Sequence, residues 1–361
     1  MNKVTAAESA KAMYTSLKFD QEKEAKLDTP DLDTFLVALY TISDDLLKAH
    51  FPNKISKVGP KVIMSDSEII TLGLCSQWLK WPERKLLSYV KKHWGTYFPN
   101  LLSQSEYNRR FNALAERLSF LVPLIRNQMT GYYPSYEIMD CVPVPLMKRC
   151  RGEKAKLFSR KIANIGKGGS DKEWYYGVKL ALAVQPQAMI SGFIISPAKT
   201  SERWLAEYIL CHRNNPLAKP VGLEDLPRSH GKKRVGPDGE IWPKEGIGNN
   251  HPGLYLTDRG YTGKWWDEHW DNDYKTRVLT PESYSGFEVE ILRPLHSSSR
   301  QVIEDVNEHL SDDLGLNRIG ARTPKGLLAR VAAKLVAFNI GVWLNQFFNR
   351  STFAISTLFN L

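Results

Sequence analysis

The chain has 361 residues, with 49 Lys and Arg against 39 Asp and Glu, a formal charge of +10 and a pI near 9.2. A 42% hydrophobic content excludes wholesale disorder. A mean hydropathy of −0.36, without an unbroken apolar run of the ~18–20 residues a span needs, argues against a membrane protein. The length exceeds what one small core needs, and the surplus of positive charge points to a polyanionic partner such as nucleic acid. Four widely spaced cysteines (Cys75, Cys141, Cys150, Cys211) form no CxxC pair, so neither a zinc finger nor a disulfide framework is implied. The N-terminus lacks an apolar signal core, which makes a reducing cytoplasm the expected compartment.

Residues 1–30 are polar and read as a loosely held lead-in. From 31 to 132 the pattern is helical. DTFLVALYTISDDLLKAHF has apolar residues at helical spacing, and SDSEIITLGLCSQWLKW opens on the capping box Ser65/Glu68. PERKLLSYVKKHW starts with Pro82 at a favourable first-turn position. Ser103/Glu106 opens a long helix that is expected to bend or break near Pro123.

The texture changes after 132. SYEIMDCVPVPL is a short β-rich run ending in a proline pair, and WYYGVKLALAV and MISGFIISPAK predict a hairpin joined by QPQA. A helix over TSERWLAEYILCHR precedes a Pro- and Gly-dense insertion at about 212–252. GLYLTD and YKTRVLTP predict strands, with a helix at TGKWWDEHWDND between them. SSSRQVIEDVNEHLSDDLG and TPKGLLARVAAKLVAFNIGVWLNQFF predict the last two helices, the final one a buried core helix and not a membrane span. The fold expected is α/β (α+β), a mixed sheet flanked by helices and preceded by an all-helical N-terminal domain.

Two carboxylates stand out. Asp140 lies in the first strand and Asp258 ends GLYLT, and an Asp in an apolar strand is costly unless a cation compensates it. Two of them at strand ends in one sheet invite Mg²⁺ or Mn²⁺, which prefer carboxylate oxygens. A strand-end Asp is commonly only a turn former or a helix cap. A third carboxylate is available at Glu304, with Arg300 four residues earlier on the same helical face, and Asp305 and Glu308 compete for that role.

On EIMDCVPVPL, YYGVKLALAV, LTDRGYTGKWW and SSSRQVIEDVNEHL the chain resembles the DDE transposases of bacterial insertion sequences. MSDSEII and FPNLLSQSEYNRRFN are also similar to the N-terminal domain of one branch of that family. The resemblance implies an RNase H-like core over 133–361 and a DNA-binding role for 31–132. It implies that Asp140, Asp258 and Glu304 are catalytic residues and hold two Mg²⁺ (or Mn²⁺) ions, Asp140 being shared by both. It implies an endonuclease that cuts the ends of a transposable element and joins the 3′-OH to target DNA. Its partners would be duplex DNA with terminal inverted repeats and a second copy of the chain, in a bacterial, nucleoid-associated setting. The separations of 118 and 46 residues between the three carboxylates suit that core with an insertion. The chain departs from relatives at Ser297, Ser311 and Ala181, where they carry Tyr, Lys and His.

Candidate DNA contacts follow from charge. Lys148, Arg149, Arg151, Lys154, Lys156, Arg160, Lys161 and Lys167 stand against a single acid, Glu153, and a second cluster holds Arg228, Lys232, Lys233 and Arg234. Either run would otherwise be a solvated charged loop. Trp265 and Trp266 are candidates to stack on an unpaired base or else belong to the core. Asn108, Arg109, Arg110 and Arg300 complete the candidates. Two other functions fit the same residues: a metal-dependent nuclease without strand transfer, and a catalytically idle DNA-binding relative.

Overall fold

The computed structural model describes residues 29–52, 63–130, 134–152, 154–155, 157–168, 173–227, 236–284 and 288–360. Five helices come first: α1 (Leu32–His50), α2 (Asp66–Leu79), α3 (Glu83–His93), α4 (Gln104–Ala113) and α5 (Ala115–Thr130). Ser65 caps α2 with the expected reciprocal box, its hydroxyl accepting from Glu68 N while Glu68 accepts from Ser65 N. The long helix after Ser103 breaks at Leu114, where the backbone leaves helical geometry (φ −87°, ψ 7°), and Pro123 sits inside α5. Val122 O, beside that proline, accepts from buried Asn339 Nδ2 of the last helix (3.1 Å), which ties α5 to that helix.

The rest runs β1 (Glu137–Met147), a short α6 (Arg149–Gly152), β2 (Asn164–Gly168), β3 (Glu173–Val184), β4 (Ile190–Pro197) and α7 (Glu202–Asn214). Then come β5 (Leu254–Thr257), α8 (Lys264–Tyr274), β6 (Arg277–Leu279), α9 (Glu288–Asp312) and α10 (Pro324–Phe347). The strands form one mixed sheet. β3 lies antiparallel between β1 and the pair β2 and β4, which share its other edge, while β5 and β6 extend β1 in parallel. The hairpin expected around QPQA is present as β3 and β4, its turn closed by Gln185 N donating to Met189 O (2.9 Å).

β1 does not stop at its proline pair: Pro143 and Pro145 lie inside it, opposite Lys179 and Gly177. The parallel partner β5 ends at Thr257, opposite Met139, so the β5-side edge of β1 is open from Asp140 onward. Cys141 N, pointing to that open edge, bonds Asp140 Oδ1 (2.7 Å), and prolines two and four residues further on forfeit no ladder bond.

The sheet separates two cores. Ile138, Val142 and Val144 of β1, with Leu180, Leu182 and Val184 of β3, face a large core shared with α1–α5, α9 and α10. Met139, Ala181 and Ala183 face a smaller one with Trp204 and Leu205 of α7 and Trp266 and Trp270 of α8. α10, which passes the length and apolarity test for a membrane span, is almost wholly buried inside the protein, as a core helix. Each fully buried Leu, Ile or Phe along it contributes about 1.5–3 kcal/mol. The helical block and the sheet therefore share a hydrophobic core. Asn360 N returns to Pro30 O (2.9 Å), and Phe359 packs on Phe35, closing the chain's end against α1.

The insertion begins later than 212, because α7 runs through Asn214. Buried Arg213 on that last turn pairs with buried Glu137 at the start of β1 and donates to Tyr255 OH (2.8 Å) of β5. An unpaired charge would be prohibitive at that depth, so the pair locks α7 to the two strands that carry the conspicuous aspartates.

Candidate active site

The register sets Asp140 and Asp258 side by side. Met139 pairs with Thr257 in the last parallel rung, and the next residue on each strand is an aspartate. At this point β1 has an antiparallel neighbour, β3, on one side and a parallel one, β5, on the other, and β5 ends where the two aspartates begin. Asp140 follows Ile138 on the α9 side and is hemmed in by protein; Asp258 is exposed and caps a 3₁₀ turn by accepting from Gly260 N (2.8 Å).

Burial pushes the Asp140 carboxyl up to about 7 from its ordinary 3.8, and the charges of Asp258 and Glu202 push the same way. Two hydrogen bonds oppose the shift: one from Cys141 N, one from Asn307 Nδ2 of α9 (3.0 Å). Among the described residues no Lys or Arg forms an ion pair with Asp140. The opposite amide atom, Asn307 Oδ1, is buried without a hydrogen-bond donor. The Asp140 carboxylate is thus crowded and served by neutral hydrogen-bond donors, with no cation paired to it among the described residues.

Glu202, in the first turn of α7, supplies a carboxylate that sequence reading overlooked. A Cβ built on Gly260 would overlap Glu202 Oε2 (1.5 Å) and touch Asp258 Oδ1 (3.0 Å), so the two carboxylates flank one small volume. Burial raises the Glu202 pKa, with Asp258 adding to the rise, while Lys179 of β3, paired with it at 3.3 Å, lowers it. The sequence signal was faint: Ser201-Glu202 reads as any helix start, and its approach to Asp258 arises from strand order alone.

Arg300, Glu304 and Asn307 follow one another at intervals of four and three along α9, on one face. Asn307 touches Asp140, and Arg300 lies close enough to both aspartates for their charges to raise its pKa, after the larger effect of Glu304 itself. Glu304 lies between Arg300 and Asn307 on that face, with its carboxylate held by Arg300 Nε (2.7 Å) and half exposed. Asp305 accepts from Gln301 (2.7 Å). Among the described residues no three His, Cys, Asp or Glu side chains converge on one metal-binding point. Asp140, Asp258 and Glu202 approach one another without meeting, and Glu304 is turned to its arginine.

The candidate DNA contacts are scattered. Lys148, Arg151, Lys154, Arg160, Lys161 and Lys167 are exposed beyond the far end of β1. The Asn164 side chain accepts from Lys199 N (2.9 Å), tying the end of this run to the loop that leads into Glu202. The side chain of Arg149, and Lys156, Arg228, Lys232, Lys233 and Arg234, lie outside the described residues. Trp266 is buried in the smaller core, and Trp265 is half-buried, stacked on His269 (5.1 Å). Arg109 is neutralised by Glu106 and Arg110 by Asp66, and Asn108 bonds Glu83. Comparison of the chain with protein-family models, curated proteins and solved structures finds no match.

Proposed function

We propose that the chain is a metal-dependent DNA-cleaving and -joining enzyme, a DDE-type transposase with an RNase H-like core. The observation that carries the reading is the pair Asp140 and Asp258 at equivalent positions of adjacent parallel strands, one of them crowded enough to resist ionisation. A strand order of an antiparallel meander followed by two parallel strands, with helices on both faces, supports the RNase H-like part.

The donor chemistry fits Mg²⁺ or Mn²⁺: Asp140 and Asp258 would hold the ions, with Glu304 as the third carboxylate once released from Arg300. When bound, such ions supply an activated water or 3′-OH and stabilise the leaving oxygen of a phosphodiester. The remaining groups have roles of their own. Asn307 orients Asp140 by donating to Oδ2. Arg300, exposed and beside both aspartates, presents its guanidinium to a phosphate. Lys179 offsets the charge of Glu202 beside Asp258. In this reading the substrate is duplex DNA carrying terminal inverted repeats, bound by two copies of the chain, and the same site would join the freed 3′-OH to target DNA.

The test is a cleavage assay on duplexes bearing the repeats that flank the gene, followed by strand transfer with pre-cut ends. Mg²⁺-dependent nicking lost in both Asp140→Asn and Asp258→Asn is the expected result. Undiminished nicking in either variant would overturn the assignment, and nicking without strand transfer would make the protein a nuclease.

A further inference from the structure

We propose that the solvent face of α3 is a second anionic-ligand surface, built to lie along the phosphate backbone of duplex DNA. Arg84, Lys85, Lys91 and Lys92 are all exposed, and they fall on one stripe of the helix at spacings of seven and eight residues, with exposed Ser88 between them. From Arg84 to Lys92 the stripe is about 12 Å long, which matches about three nucleotide steps of one strand.

Charge pairing separates this face from every other cation in the helical block considered as a DNA contact. Arg109 is tied to Glu106, and Arg110 and Arg117 share Asp66. The sole acid of α3, Glu83, turns inward to Arg330 (2.7 Å) and Asn108. From 84 to 105 the chain has no Asp or Glu at all. The four cations thus form no ion pair among the described residues, and their field adds up instead of cancelling.

The surface is also shaped. A shallow cleft runs along the helix, lined by Arg84, Lys85, Ser88, Tyr89, Lys92 and His93. Beside it runs an aromatic ladder: Trp81 meets Tyr89 edge-on (4.9 Å), Tyr89 stacks on His93 (4.4 Å), and Lys85 Nζ sits 4.2 Å over Trp81. The Trp81 ring holds the Lys85 ammonium by a cation–π contact at the edge of the cleft, while Lys91 and Lys92 are exposed. Leu86, Leu87 and Val90 are all turned into the core, which leaves no aliphatic side chain of α3 to enter a lipid layer. A polyanion with regularly spaced charges and a polar surface is the occupant this chemistry selects.

The inference is independent of the metal site, and the two fail separately: binding is read in EDTA, cleavage in Mg²⁺. Full-length protein and the triple variant Arg84→Gln/Lys85→Gln/Lys92→Gln are titrated by fluorescence anisotropy into a random-sequence duplex from about 50 to 200 mM salt. Glutamine keeps helix propensity, and far-UV circular dichroism verifies the fold. Loss of three phosphate contacts is expected to weaken binding at least tenfold and to flatten the salt slope by about two to three. The charge-preserving variant Lys85→Arg/Lys92→Arg should bind as wild type does. Unchanged affinity and slope in the triple variant would overturn the proposal. So would wild-type binding to phosphatidylserine vesicles that exceeds DNA binding and is lost in the triple variant.

Discussion

Replacing Asp140 by Asn should make the metal-free protein more stable. The folded carboxyl titrates at about 7 against an ordinary 3.8, chiefly because of burial. A raised folded pKa means that the native state binds the proton more tightly than the unfolded chain. The stability this supplies is complete below pH 3.8 and is lost as the pH climbs through 7. Above that point an ionised Asp140 costs the fold at most about 4 kcal/mol relative to its protonated form. The substituted amide would keep the shape and still accept from Cys141 N, and rotation of the Asn307 amide would bring its idle Oδ1 to the new donor. Urea unfolding in EDTA should show wild type and Asp140→Asn converging near pH 4 and diverging by about 2–4 kcal/mol at pH 8, with the variant ahead. Mg²⁺ at about 100 times its dissociation constant should then return about 2.7 kcal/mol to wild type and little to the variant. Parallel pH profiles, or equal stabilisation of both proteins by Mg²⁺, would refute the reasoning.

Burial likewise lowers the pKa of Lys334 on α10, to about 8 from 10.5, with Arg330 and Lys80 adding to the effect. The unfolded state therefore holds that proton more tightly, so stability should rise by about 3 kcal/mol between pH 8 and 10.5, and urea midpoints should show this component missing in Lys334→Met. Asn339→Ala strands Ile190 N, Ile190 O and Val122 O, all bonded by that side chain, and should lower the unfolding free energy by about 2–4 kcal/mol in urea titrations. Glu304→Gln should abolish cleavage outright, whereas Glu202→Gln should mainly change the Mg²⁺ concentration needed for it. A metal titration of the cleavage rate giving the reverse pattern would make Glu202 the third ligand.

The legible parts of the fold were those written in local chemistry. The capping box at Ser65, the alternation of β3 and β4 and the apolar length of α10 each reflect neighbours in sequence, and each was found in place. Where the reading slipped, long-range packing had changed the meaning of a residue. Pro143 and Pro145 looked like a strand's end because their tolerance depends on where β5 stops, 114 residues away from Pro143. Pro123 reads as a bend or break, yet the helix continues through it, and the interruption falls at Leu114 instead. α9 begins at Glu288, ahead of Pro294, because its first turns precede the apolar stripe that made the helix readable. At the candidate site, Asp140 and Asp258 were legible as polar residues out of place in apolar strands. Glu202 and Asn307 were not, since ordinary helix residues acquire their meaning only when strand order brings them to those aspartates. The ion pairs of Arg109 and Arg110 were hidden for the same reason in part: Glu106 is a neighbour on the helix, but Asp66 reaches Arg110 only through packing within the helical block.

α10 carries a consequence for how such a protein can change. Its buried side chains are common property of the helical block and the sheet, and Arg330 on it also secures α3 through Glu83. A cut between α5 and β1 would leave each piece with half an oily interface and no cover, so the block cannot be traded as a cassette for another helical module. New surface properties would have to be acquired in place, one residue at a time, on helices that are already spoken for on their inner sides.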